Sequence, residues 1–243
     1  MTAQDLERCL NCQSNLDGPF CSNCGQKKSA RLTPIKDWVG DFFGAFLKLD
    51  SKLLRTMKSL LLRPGQATLD FAEGRRVPYS GPARVYIIVS AISIAVMTLL
   101  GSFAPNNAMP IPGLNVDANV QKRIQFLFPF VNLLSPLLTA GVLAVLQRRQ
   151  FFQLHLAFSL HFWSFVIAIT TPLIFIPPTS IWSLVGLAGL TLVVTGYLFA
   201  AHYRVYAMPL LERIFIGSVL LLSLPVAAIV FTALLVLLAV LLS

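Results

Sequence analysis

The chain has 243 residues, of which 56% are hydrophobic and only 12% charged, and its formal charge is +9. Soluble proteins carry about 25% charged residues, so the composition excludes an ordinary soluble domain and points to a polytopic membrane protein with its apolar excess in long runs. The charge is uneven, with 13 of the 19 Lys and Arg in residues 1–84; a basic block beside apolar spans reads as a cytoplasmic flank facing anionic lipid, and a tethered, mostly apolar chain argues against a nucleic-acid partner.

Taken in order, the chain starts MTAQDLERCLNC, without the apolar stretch of a cleavable signal peptide. Residues 9–24 read CLNCQSNLDGPFCSNC, which is CxxC, eight residues, CxxC. Two such turns can place four thiolates tetrahedrally around one Zn²⁺, so Cys9, Cys12, Cys21 and Cys24 are the expected metal ligands. Gly25 follows the second pair, where a small residue lets backbone N–H groups turn toward the sulfurs, and Gln13 holds the matching place in the first knuckle. Asp17, Gly18 and Pro19 supply the turn between knuckles. So short a module cannot bury a core, and metal must supply most of its folding energy. Two disulfides would require an oxidising compartment, whereas the charge pattern puts this end in the cytosol. A redox CxxC would normally sit on a βαβ scaffold, and no such pattern is present. Four cysteine ligands leave no open catalytic position, so the zinc is expected to be structural.

The linker QKKSARLT follows, and Thr33-Pro34 then carries the signals of a helix start. From Ile35 to Leu62 the apolar residues Ile35, Trp38, Phe42, Phe46, Leu49, Leu53, Met57 and Leu60 keep helical spacing, opposite Asp37, Asp41, Lys48, Lys52 and Arg55. The pattern predicts an interfacial amphipathic helix lying on anionic lipid. A helix packed on the protein itself gives the same pattern, and the two do not exclude each other. Pro64-Gly65 ends it, and a short helix over 66–73 is closed by Gly74. Arg75, Arg76 and Arg84, with Tyr79, stand before the first span as candidate headgroup anchors, or as ordinary positive-inside flanking.

CLNC…FCSNCGQ, followed by DFFGAFLKLDSKLLRTMKSLLLRPGQATLDFAEGRRVPYSGPARVY, resembles the bacterial DUF3667 family of membrane proteins, and HLAFSLHFWSF and YLFAAHYRVY are similar to its later segments. The resemblance implies a zinc-ribbon head on a multi-pass membrane domain and brings no assigned activity.

Five spans are expected, at about 84–104, 124–146, 154–176, 181–203 and 214–242. Each can cross a hydrocarbon core of about 30 Å. Pro129, Pro136, Pro172 and Pro225 are expected kinks, and Ser183, Gly186, Gly189, Gly196 and Ala200 should allow close helix packing. With the N-terminus inside, 17 of 19 basic residues are cytoplasmic and the C-terminus is periplasmic.

There is no HExxH, no GxSxG, no phosphate-binding glycine loop and no acidic residue in the span cores, which argues against an enzyme and against a carboxylate proton relay. His161 lies well inside the third span as the intramembrane polar candidate, either a hydrogen-bonded packing residue or a functional one. His155 is six positions away, on another face. His202, Tyr203, Arg204 and Tyr206 form a polar-aromatic cluster expected at the membrane boundary, with Arg204 a further headgroup candidate.

The expected architecture is an all-α membrane protein of the bacterial inner membrane. It comprises a cytosolic zinc ribbon and linker (1–30), basic amphipathic surface helices (31–83) and a five-span bundle (84–243). The expected function is a membrane-anchored adaptor or regulator that binds a cytosolic protein partner. The alternative is a small-solute transporter or lipid-handling protein using His161. An oligomer is compatible with either.

Overall fold

The computed structural model describes residues 8–28, 51–99, 133–172 and 181–241. Their seven helices are α1 Ser51–Leu62, α2 Gln66–Ala72, α3 Pro82–Leu99, α4 Ser135–Leu146, α5 Phe152–Thr170, α6 Ile181–Val205 and α7 Leu210–Leu241. Two of these, Phe152–Thr170 and Val185–Val205, are long and apolar enough to cross a membrane, and Pro82–Val96 and Ser135–Leu146 are shorter apolar helices. The expected interfacial helix before residue 51, the kink at Pro129 and the outer end of the third span lie outside the described residues.

α5 is the centre of the bundle. Its sequence FQLHLAFSLHFWSFVIAIT is apolar nearly all round, the property of a helix enclosed by others. It packs against α1, α2, α3, α4 and α6. One core joins Leu143, Phe158, Phe162, Leu198, Tyr206 and Leu220, and the Phe165 and Tyr197 rings stack 3.6 Å apart. A second joins Tyr86, Ala140, Leu156 and Leu160.

Cross-helix contacts give the directions. Trp163 Nε1 donates to Thr139 Oγ1 at 2.9 Å and His155 Nε2 to the Gln147 carbonyl at 3.3 Å, so α4 and α5 are antiparallel. His155–Tyr206 and Phe165–Tyr197 make α5 and α6 antiparallel. Tyr86 lies with Leu156, while Thr171 Oγ1 donates to Ser93 Oγ at 2.8 Å, so α3 and α5 run the same way. The 147–151 and 206–209 loops and the Pro64–Gly65 turn therefore meet at one end of the bundle, which carries Arg63, Arg148, Arg149, Arg204 and Arg213.

α1 and α2 form a hairpin against this bundle. Gly65, at φ +76°, makes its turn, and a Cβ there would lie 2.7 Å from the Ala201 carbonyl oxygen. Leu53 and Leu60 are buried with Ala67 and Val85, and Met57 packs beside them. The described part of the stripe, Leu53, Met57 and Leu60, is thus turned inward, because Val85, Ile88 and Val89 of α3 offer it an apolar surface. The opposite face of α1 carries Lys52, Arg55 and Lys58, together with Leu54 (69% exposed), Leu61 and Leu62 (68% exposed).

Other sequence expectations change. Pro136 lies in the first turn of α4, where its missing N–H breaks no helical bond, so it starts a helix instead of kinking one. Pro172 likewise falls in the terminal turn beyond α5. α7 is a single helix of 32 residues running through position 225. Gly189 and Gly196 face open space. The close α6–α7 approach is instead at Gly217, where a Cβ would collide with the Phe199 ring.

Candidate functional site

The four cysteine sulfurs all lie within 4.8 Å of one another. Cys9 and Cys24 Sγ are 3.5 Å apart, as are Cys12 and Cys21 Sγ, and all four thiols are free. A Zn–S distance of about 2.3 Å places tetrahedral sulfurs about 3.8 Å apart, so the set fits one tetrahedral ion of that size. The two knuckles repeat one hydrogen-bond plan. Cys9 N–H donates to Ser14 O at 2.8 Å and Gln13 N–H to Cys9 O at 2.8 Å; Cys21 N–H donates to Gln26 O and Gly25 N–H to Cys21 O, both at 2.9 Å. Gln13 (φ 63°) takes the same left-handed conformation as Gly25 (φ 72°). A side chain therefore sits where the turn favours glycine. Hydrogen bonds from the Ser14 side chain and backbone hold the Cys12 thiol down to about 6. Loss of hydration pushes Cys24 up to about 12.

The head is docked on the helical domain, although the polar linker and small size gave no reason to expect it. The Gln26 side chain is buried; its Nε2 donates to Gly74 O at 2.8 Å and its Oε1 accepts from the Arg76 N–H at 3.1 Å. Gly74 has φ +83°, and a Cβ there would lie 2.6 Å from Leu10 Cδ1, so the first knuckle packs on the same glycine. Gly74 closes α2: its N–H donates to Phe71 O at 3.1 Å, and Arg75 N–H donates to Asp70 O at 2.8 Å. These are the two bonds of a Schellman cap.

All four arginine headgroup candidates have partners within the chain. Arg75 pairs with Asp70 and Glu73. The Arg76 guanidinium lies 5.0 Å over the Phe71 ring. Arg84 is buried, with Nη1 3.4 Å from Ser80 Oγ. Arg204 Nη1 donates to Pro64 O at 2.8 Å, fastening the hairpin turn to α6.

The three histidines are all buried. His161 Nδ1 lies 2.9 Å from Thr68 Oγ1 of α2, and its Nε2 has no hydrogen-bond partner among the described residues. His155 donates from Nε2 to Gln147 O, so its Nδ1 accepts the Tyr206 hydroxyl at 2.9 Å. Gln147 Nε2 and His202 Nε2 are 2.8 Å apart. The expected boundary cluster is therefore divided. His202 and Tyr206, four residues apart, face inward, while Tyr203 and Arg204 are exposed, and Arg213 lies 4.0 Å over the Tyr203 ring. Thr68, Gln147 and Gln26 went unnoticed in the sequence because single polar residues of these types carry no pattern.

No curated protein and no solved structure matches the chain. Residues 50–94 match the family described as "Protein of unknown function (DUF3667)". The matched segment holds the α1–α2 hairpin, the Gly74 cap that receives the head and most of α3, and over these residues the chain is similar to that family.

Proposed function

We propose that the protein is a multi-pass membrane regulator or adaptor whose four-cysteine head holds one structural Zn²⁺ and offers a cytosolic partner a contact surface. The observation that carries this reading is a closed set of four thiols seated on the helical domain with an apolar ring, Phe20 (59% exposed), left on its surface. A closed four-sulfur site folds a module but has no open position for a substrate. The membrane reading is supported by two span-length apolar helices and by exposed Val185, Leu187, Leu192 and Val193 along α6. The cluster of arginines at the loop end of the bundle favours a cytoplasmic location for that end and for the head. The outer face of α1, with Lys52, Arg55 and Lys58 beside three exposed leucines, is suited to anionic headgroups.

The test compares Cys21→Ser/Cys24→Ser and Phe20→Ala with wild type, reading zinc content, membrane level and co-purified cytosolic proteins. The double cysteine variant should lose zinc and partner at normal membrane level, and Phe20→Ala should lose the partner alone. A second reading, transport or lipid handling through the bundle, is favoured by buried His161 Nε2, which has no hydrogen-bond partner among the described residues. It predicts that His161→Ala abolishes a cellular phenotype that survives loss of the head.

A further inference from the structure

We propose that the four-cysteine head is an intramolecular latch, in which metal at the cysteines holds Gln26 and Leu10 on the Gly74 cap and so keeps α2 seated against His161. The proposal rests on the metal reading above and adds to it a target within the same chain. Its basis is a continuous series of contacts. Gln26 belongs to the second knuckle through its main chain, since its carbonyl accepts the Cys21 N–H and its own N–H faces Cys24. Its side chain belongs to the docking contact, with both ends of the amide used, on Gly74 O and Arg76 N–H. One residue therefore serves both the metal turn and the contact.

The receiving loop is as closely tied to α2. Gly74 and Arg75 supply the two cap bonds, and the Asp70 carboxylate accepts from Gln66 Nε2 at 3.0 Å and from Arg75 Nε at 2.9 Å. Two residues before Asp70, Thr68 meets His161 on the central helix. A head of this size has no core of its own. Without metal its knuckles have little to hold them, and Gln26 loses the backbone frame that aims it. The cap then loses one buried and one half-buried hydrogen bond and the Leu10 contact together, and α2 is left with its Pro64–Gly65 end still fastened to α6.

The experiment uses the full chain in lipid nanodiscs and follows amide hydrogen exchange over residues 66–76, with zinc content measured in each sample. Removing zinc with a chelator should speed exchange there by about tenfold, the order set by losing one buried and one half-buried hydrogen bond. Exchange in the 206–209 loop should stay unchanged. Gln26→Ala should give the same acceleration with one zinc still bound, which a merely structural metal would not produce. The proposal is overturned if Gln26→Ala keeps zinc and exchanges like wild type over 66–76, or if zinc leaves and that segment is unaffected. Wild-type protein that holds no zinc as purified, and takes up none when it is added, would reject the metal reading itself and the latch with it.

Discussion

Gln13 and Gly25 occupy equivalent turns with nearly equal positive φ, yet only one of them is a glycine. A left-handed conformation costs a residue with a Cβ roughly 1 kcal/mol. Gln13→Gly should therefore tighten zinc binding about fivefold and Gly25→Ala should weaken it by a similar factor, both read by competition with a chelator of known affinity. Brief alkylation at neutral pH should label all four thiols of the chelated protein, whose knuckles have lost the metal that holds them, and should spare them in the zinc-bound protein. The clustering of the four cysteines was legible in the sequence because two CxxC pairs are a strong pattern. The docking of the head was not legible, because Gln26 is distinguished only by the two backbone groups it meets.

At the scale of single elements, the α1–α2 hairpin is set by close approach. Gly65→Ala places a Cβ 2.7 Å from the Ala201 carbonyl in a conformation that already disfavours it. Either the turn moves off α6 or the hairpin strains, and thermal unfolding in detergent should show a loss of about 2 kcal/mol or more. The two faces of α1 should respond differently. Leu60→Ala opens a cavity beside Val85 and should cost about 2–4 kcal/mol. Serine at Leu54, Leu61 and Leu62 together should leave stability nearly intact and weaken binding to phosphatidylserine vesicles. Equal loss of stability from both changes would show that the outer face is also packed. The helical period of this segment was plain in the sequence. Which way its apolar stripe faced was not, because bilayer and α3 make the same demand on Leu53, Met57 and Leu60. Pro136 shows a similar limit: proline marks either a kink or a beginning, and the helix boundary decides which.

For the whole molecule, the helices alternate in direction so that the arginine-bearing loops gather at one end. A periplasm-dependent phosphatase fused after Ser243 should be active if α7 carries the chain away from that end and across the membrane; a stable but inactive fusion would reject the orientation. The alternation agrees with the order of apolar stretches in the sequence. The position of α5 inside the others does not follow from hydropathy, since an enclosed helix and a lipid-facing one score alike. Its buried histidines carry a consequence for biosynthesis. The partner of His161 is Thr68, made 93 residues earlier, whereas that of His155 is Tyr206, made 51 residues later. As the chain leaves the ribosome, α5 can match one imidazole at once. The other remains without its hydroxyl until α6 has been synthesised and folded back, so α5 reaches its final seat only when the later half of the bundle arrives.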